Sequence, residues 1–509
     1  HMRDIVATIQ ADQFALITRE PAGVFVVQGG PGTGKTAVGL HRASWLLYTY
    51  RRELERSGVL VVGPNPVFMD YISHVLPMLG EERVEQRAVD EVAGEIKIAR
   101  RDGPELARRK GSLELAGIEA TRREKPALAR RTADGGIAER LAEAVHALPS
   151  PPDKLVGIRV DGAFLYLEPP DVAALIEEAK AAGGSHAERR ERFRMLAARR
   201  LYEQYGRKLD DLAFRSFDEL ERALRTFLAK LVDSAWPRVK AEQLVRRVLA
   251  EEKLGGRGWS DADLPLIDEA RALLDGPPQQ HGHVIVDEAQ DLTPMQLRML
   301  ARRSAGAMTI LGDIAQAAGP VEYHRWEDLL PHLADGREVS VAELRLAYRV
   351  PRQVMELALP LLPLIAPDVA APIAYRDGDE PPRFVQVPAA EVVTAAVREA
   401  SAEAARDGRA ALIAPAKLLP DLPAEADAAF DELATPFTAL TPRAAKGLEF
   451  DRVVLVEPAA IAAEGAERIE GLRALYVALT RATKTLVVVH AKPLPPELAP
   501  ASGRDMAGV

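Results

Sequence analysis

The run Gly29-x4-Gly34-Lys35-Thr36, set between an apolar strand and an amphipathic helix, limits what this chain can fold into more than any other feature. Val24-Phe25-Val26-Val27 is a short, β-branched run that reads as a buried strand. Ala37 to Tyr50 then shows helical periodicity through Val38, Leu40, Trp45 and Leu46. A glycine-rich turn in that setting is a phosphate-binding loop. Its glycines, with Gly32, Thr33 and Gly34 at the centre, let backbone N–H groups close around a β-phosphate. Lys35 neutralises β/γ oxygens, and the Thr36 hydroxyl ligates Mg²⁺. A second apolar run, Val59-Leu60-Val61-Val62, follows, then Gly63-Pro64-Asn65-Pro66 and an amphipathic helix to about Leu79. Strand, helix, strand and helix with short links predict a parallel α/β sheet.

The partner of such a loop is an acid at the end of a neighbouring strand. Val284-Ile285-Val286-Asp287-Glu288 supplies it: Asp287 can hold Mg²⁺ through water, and Glu288 can act as general base on an attacking water. Thr36 and Asp287 are 251 residues apart, so a large insertion must interrupt the first domain. The next strand, Met308 to Leu311, leads into Gly312-Asp313-Ile314-Ala315-Gln316, where Gln316 can orient water, sense a γ-phosphate or simply make a polar turn. After about residue 338 a second α/β set begins. Its strands are expected at 384–387, 411–413, 437–440, 453–456 and 486–489, with helices at about 351–365, 389–406 and 470–482.

Composition narrows the chemistry. The 509 residues contain no cysteine, which excludes disulfides, cysteine-ligated zinc and thiol catalysis, and fits a reduced, cytoplasmic setting. No apolar run reaches membrane-spanning length, and no signal peptide opens the chain. His1 before Met2 reads as a cloning remnant. The net charge of −9 argues against a wholesale nucleic-acid coat. Residues 81–208 are different, with 25 basic and 23 acidic side chains. They read as helical except for 156–167, where alternation around Asp161-Gly162 predicts a hairpin. Lys97–Arg131 holds 11 basic and 5 acidic residues, and Arg189–Lys208 holds 8 and 2. These are either tracks for phosphates or solvated helix faces. His281-x-His283 has metal-pair spacing but no evident third ligand.

In this order the motifs resemble a superfamily 1A helicase of the UvrD/Rep type. Gln13 resembles the adenine-reading glutamine; Asp287-Glu288-Ala289-Gln290-Asp291 and Gly312-Asp313-x-x-Gln316 resemble motifs II and III. Ala347-Tyr348-Arg349, Lys446-Gly447-Leu448-Glu449-Phe450 and Leu475 to Ala482 resemble motifs IV, V and VI. The resemblance implies two RecA-like domains with ATP and Mg²⁺ in the cleft between them. Tyr348 would stack on adenine, Glu449 would touch the ribose, and Arg349 and Arg481 would reach the γ-phosphate as arginine fingers. A narrower resemblance, to the HelD (helicase IV-like) branch, rests on Gly63-Pro64-Asn65-Pro66-x-Phe68, Tyr71-Ile72, Leu76-Pro77-x-Leu79-Gly80, Leu440-Thr441-Pro442-Arg443 and Gly447-Leu448-Glu449-Phe450-Asp451. Members of that branch include ATP-driven factors that release RNA polymerase by means of a coiled-coil arm, which would precede residue 5 and lies outside this chain.

Four features depart from a DNA unwinder. Ala317-Ala318-Gly319-Pro320 stands where base-stacking aromatics follow motif III, with Tyr323 and Trp326 only later. Arg443 replaces the motif V histidine, and Ala37 replaces an arginine expected near adenine. Only 97 residues separate Arg349 from Lys446, so the usual large insertion of the second domain is reduced or missing. The expected layout is α/β: a split first domain (1–80 and 209–337), a mainly helical insertion (81–208), a second domain (338–492) and a frayed tail (493–509). Two functions follow: a motor translocating 3′→5′ on single-stranded DNA, or a remodeller of RNA polymerase. A nucleotide-gated binding protein is a weaker third, opposed by Glu288 and the two arginines.

Overall fold

The computed structural model describes residues 11–64, 69, 84–94, 136–208, 215–254, 259–378, 380–421 and 437–498. The expected helix to Leu79, the basic stretch Lys97–Arg131 and the tail beyond 498 lie outside them, as do Asn65, Pro66, Phe68, Tyr71, Ile72, Leu76, Pro77, Leu79 and Gly80 of the narrower resemblance. The strands in chain order begin with β1 (Val24–Gly29), β2 (Val59–Gly63) and β3 (Val84–Ala88), then the hairpin β4 (Val156–Val160) and β5 (Ala163–Leu167). They continue with β6 (His281–Val286), β7 (Ser304–Gly312), β8 (Val339–Leu344), β9 (Leu346–Ala347) and β10 (Ile373–Ala374). The last are β11 (Arg383–Gln386), β12 (Ala410–Ile413), β13 (Phe437–Leu440), β14 (Phe450–Val456) and β15 (Ala482–His490).

Six strands form a parallel sheet in the order β3-β2-β6-β7-β1-β8. All six residues of β1 are buried, as expected of a strand covered on both faces by helices. Helix Lys35–Thr49 turns Val38, Ala43, Leu46 and Leu47 onto Phe25, Val27, Val59, Val61 and Ile285. Each large side chain so buried contributes about 1.5–3 kcal/mol. A second parallel sheet has the order β11-β15-β14-β12-β13, with Leu412, Val454, Val456, Val487 and Val489 packed under helix Val392–Ala404. Both sheets belong to one compact unit.

Two strands correct the expected boundaries. β3 falls inside the expected 81–208 insertion yet pairs with β2, and β8 falls inside the expected second domain yet pairs with β1. Both are edge strands whose half-exposed, charge-bearing faces lack the apolar run of a central strand.

Apart from Ala93 and Gly94, the described part of the second compact unit runs from helix Gly136–His146 to Gln280. The segment 209–280, expected in the first domain, thus belongs with the helical unit. Its long helix His186–Lys208 buries Phe193, Ala197, Leu201 and Tyr205 at every fourth position, against Leu220, Leu224, Leu228 and Trp236. Ser216 and Glu219 form a reciprocal cap at the start of helix Phe217–Ala235. β4 and β5 pair antiparallel about Asp161-Gly162, both at positive φ, as a two-residue primed turn requires. No described helix is long and apolar enough to cross a membrane.

Candidate active site

Because the first sheet is parallel, the C-terminal ends of β1, β6 and β7 share one edge, where α/β sheets bind ligands. β1 leads into the glycine loop, β6 into Asp287-Glu288 and β7 into Asp313 to Gln316. Gly32 and Gly34 have φ of 71° and 85°, and a Cβ on Gly34 would stand 2.8 Å from Gln13 Nε2. Thr33 Oγ1 donates to Gly30 O (2.9 Å), and Lys35 Nζ donates to Gly29 O (2.7 Å) across the mouth of the loop. Helix Lys35–Thr49 starts there and points its positive end at the same space.

Gln13 is buried on helix Ala11–Ile17 and donates from Nε2 to Thr33 O (3.0 Å). That helix is held by Arg42, a fully buried residue of the following helix. Its guanidinium donates to Leu16 O, Ile17 O and Arg19 O at 2.6–3.1 Å and to Thr309 Oγ1 at 2.9 Å. Burial, with Arg19 nearby, brings its pKa down to about 10.

Thr36 Oγ1 donates to Asp287 Oδ2 at 2.6 Å. Burial and then the charge of Glu288 push the Asp287 carboxyl up to about 6. Glu288 goes the other way. Burial would raise it, but Lys446, Lys35, a hydrogen bond from Gln290 and Arg481 together hold it below the ordinary glutamate value. Its backbone is left-handed (φ 52°, ψ 38°), a strained state for a non-glycine residue that concentrates at functional sites.

The second sheet meets this edge with the residues before β14 and β15. Lys446 Nζ donates to Gln316 O and pairs with Asp291 Oδ2. Arg481, 5% exposed, donates from its terminal nitrogen to Gln316 Oε1 at 2.8 Å. It also donates to Val477 O (3.0 Å) and Leu448 O (3.2 Å), so its direction is fixed. Burial lowers its pKa, opposed by Glu449 and Glu288. Arg349 forms an ion pair with Glu449, and Tyr348 N donates to Gly32 O at 3.0 Å, which sets both beside the glycine loop. The Tyr348 ring lies 5.5 Å from that of Tyr375.

Residues 436–489 match the family model of the UvrD-like helicase C-terminal domain. The matched segment contains Lys446, Glu449 and Arg481. The similarity is to a helicase-type nucleic-acid motor, an ATP-driven kind of enzyme. Among solved structures, the chain is similar to the C-terminal domain of a possible DNA helicase from Lactobacillus plantarum WCFS1, at 23% identity and a TM-score of 0.24. That match covers 30% of this chain and 92% of the other. No curated protein matches the chain.

Sequence reasoning placed Lys446 only within a motif and gave it no role, and it missed the polar frame beneath this edge. Asp313, 1% exposed, is the hub: it accepts from Gln28 Nε2 (2.9 Å), Gln316 Nε2 (2.6 Å) and Ala315 N (3.2 Å). Gln290 accepts from Asp313 N (3.1 Å) and donates to Glu288. The position of Asp313 one residue after a buried strand was the available signal. Tyr323 and Trp326 are core residues, and Trp326 Nε1 donates to Gln28 Oε1 at 2.9 Å. His283 contacts Thr309 Oγ1 (2.9 Å) and His281 lies 3.6 Å from Glu85. Among the described residues no cluster of three metal-ligating His, Cys, Asp or Glu side chains exists.

Proposed function

We propose that the chain is an ATP-hydrolysing nucleic-acid motor of the UvrD/Rep type, cytoplasmic, working 3′→5′ on single-stranded DNA between two RecA-like domains. One observation carries the reading: the Glu288 carboxyl is held below the ordinary glutamate value by Lys446 of the second sheet and Lys35 of the glycine loop, with Arg481 of the second sheet beside them. A half-buried carboxylate among these cations can take a proton from water at a γ-phosphate whose charge they offset. Gln316 orients that water, while Arg481 and Arg349 stabilise the charge that develops. Gln13 reads adenine, Tyr348 stacks on it and Glu449 binds the ribose. Thr36 and Asp287 bring two hard oxygen donors together, a set that suits Mg²⁺ completed by phosphate and water. When bound, the ion neutralises phosphate charge. Contacts of Lys446 and Arg481 with Gln316 link the two sheets, so a change at the γ-phosphate can alter how they meet.

A second reading, an ATP-driven remodeller of RNA polymerase of the HelD kind, is favoured by Ala317-Ala318-Gly319-Pro320, which offers no ring for base stacking. The test is ATP turnover with and without oligo(dT). Strong stimulation supports the motor. Turnover indifferent to DNA, with polymerase retained by the protein, supports the remodeller. No turnover in either condition overturns both.

A further inference from the structure

The basic stretch Arg189–Lys208 and the hairpin beside it are not used by the nucleotide site. The hairpin has two faces. Ala163, Leu165 and Leu167 point into the core of the helical unit. The opposite face carries the cross-strand pairs Gly157–Tyr166 and Arg159–Phe164. Phe164 is 41% exposed and reaches over Gly157, where a Cβ would come within 2.6 Å of its Cζ. It stacks on Tyr166, with centroids 5.8 Å apart and planes at 21°. A cation lies over each ring: Arg159 is 5.8 Å from the Phe164 centroid, and Lys208 Nζ, which also donates to Phe164 O (2.6 Å), is 4.9 Å from that of Tyr166. Gln204 braces the strand by donating to Tyr166 O (2.7 Å) and accepting from Tyr166 N (3.1 Å). The nearby acid Asp161 is engaged by Tyr205 and Arg215.

We propose that this outward face of β4–β5 is a stacking platform for single-stranded nucleic acid. A Phe would ordinarily be buried. Here the missing side chain at Gly157, diagonally across the strand pair, leaves room for its ring on the exposed face, and the cations at the two rings complement a phosphate backbone. Stacked rings bordered by Lys and Arg bind single strands with little sequence preference, because every base has a π-face. The platform gives the proposed motor aromatic contacts that the segment after Gln316 does not supply. It is tested without nucleotide, so its failure is distinguishable from a failure of ATP turnover.

The experiment measures fluorescence anisotropy of labelled oligo(dT) with the full chain, with thermal melting as the folding control. Phe164→Leu with Tyr166→Leu keeps an apolar cover over Gly157 and removes the π-faces; binding should weaken about tenfold or more. Arg159→Gln with Lys208→Gln leaves the rings and should reduce the slope of log affinity against log salt by roughly 1–1.5. The charge pair also serves if the leucine pair melts early. The proposal is overturned by an oligo(dT) affinity that neither pair changes, by no binding in the unaltered chain, or by equal competition from poly-glutamate.

Discussion

Lys446 ties the two sheets together and is the foremost cation acting on Glu288, so Lys446→Met separates these two duties. Nζ pairs with Asp291, whose carboxylate also accepts from Ala318 N at 2.9 Å. Lys446 and Asp291 side chains are 11% and 21% exposed, so the pair is not fully desolvated. Removing the cation leaves Asp291 with its backbone donor and some water. The stability loss should be about 1–3 kcal/mol, below the range for a wholly buried pair. The effect on Glu288 should be larger. Burial raises that carboxyl, and Lys446 is the first of the groups that oppose it. Loss of a neighbouring opposite charge is worth about 1–3 pKa units. A base that must be ionised then loses turnover from a higher pH, so the acid limb of kcat should move up by about that amount. The assay is steady-state ATP turnover from acid to neutral pH beside a thermal melt. An unmoved acid limb in a variant that melts lower would refute the electrostatic role and leave only the tie.

Three further outcomes follow from single contacts. Gly34→Ala places a Cβ at φ 85° and 2.8 Å from Gln13 Nε2; strain of about 1–2 kcal/mol should weaken binding of a fluorescent ATP analogue about tenfold, and unchanged affinity would count against the loop geometry. His283 is buried and its pKa is brought from 6.5 down to about 3, first by burial and then by Arg42. The unfolded chain therefore takes up a proton that the fold does not, and stability falls as pH drops from about 6.5 toward 3, by about 1.4 kcal/mol per unit. His283→Gln keeps a partner for Thr309 and should shrink the loss between pH 7 and pH 5 by about 2 kcal/mol in urea unfolding; an unchanged loss would show that His283 is not the source. Arg42→Met leaves three carbonyls of the Gln13 segment without their donor, and should cost about 3–5 kcal/mol as several lost hydrogen bonds from a charged group; a smaller melting shift than that of Gly34→Ala would contradict its place as an anchor.

The central strands were legible because their signal is local. Val24–Val27, Val284–Val286 and Val453–Val456 are unbroken apolar runs, and each lies inside an observed buried strand. The Asp161-Gly162 hairpin was legible because its turn has a chemical requirement at two adjacent positions. β3 and β8 were not, since an edge strand such as Val84-Glu85-Gln86-Arg87-Ala88 presents charge where a central strand presents valine. The insertion boundary went astray with them: Leu220, Leu224 and Leu228 repeat like any helix, and nothing in the repeat says which core receives them. At the site, the reactive groups sit in recognisable short motifs. Their frame does not, because Gln28 and Asp313 meet across 285 residues and each alone is an ordinary polar residue at a strand end.

The most direct measurement of the central claim is ATP binding and turnover by Glu288→Gln beside the unaltered chain. Glutamine keeps the shape and the contact with Gln290 but cannot take a proton. Binding of Mg²⁺–ATP should stay within about threefold, while kcat should fall about 10²–10⁴-fold, the range of a positioned general base. Turnover equal to that of the unaltered chain would contradict Glu288 as the base, and with it the chemistry assigned to this edge of the sheet.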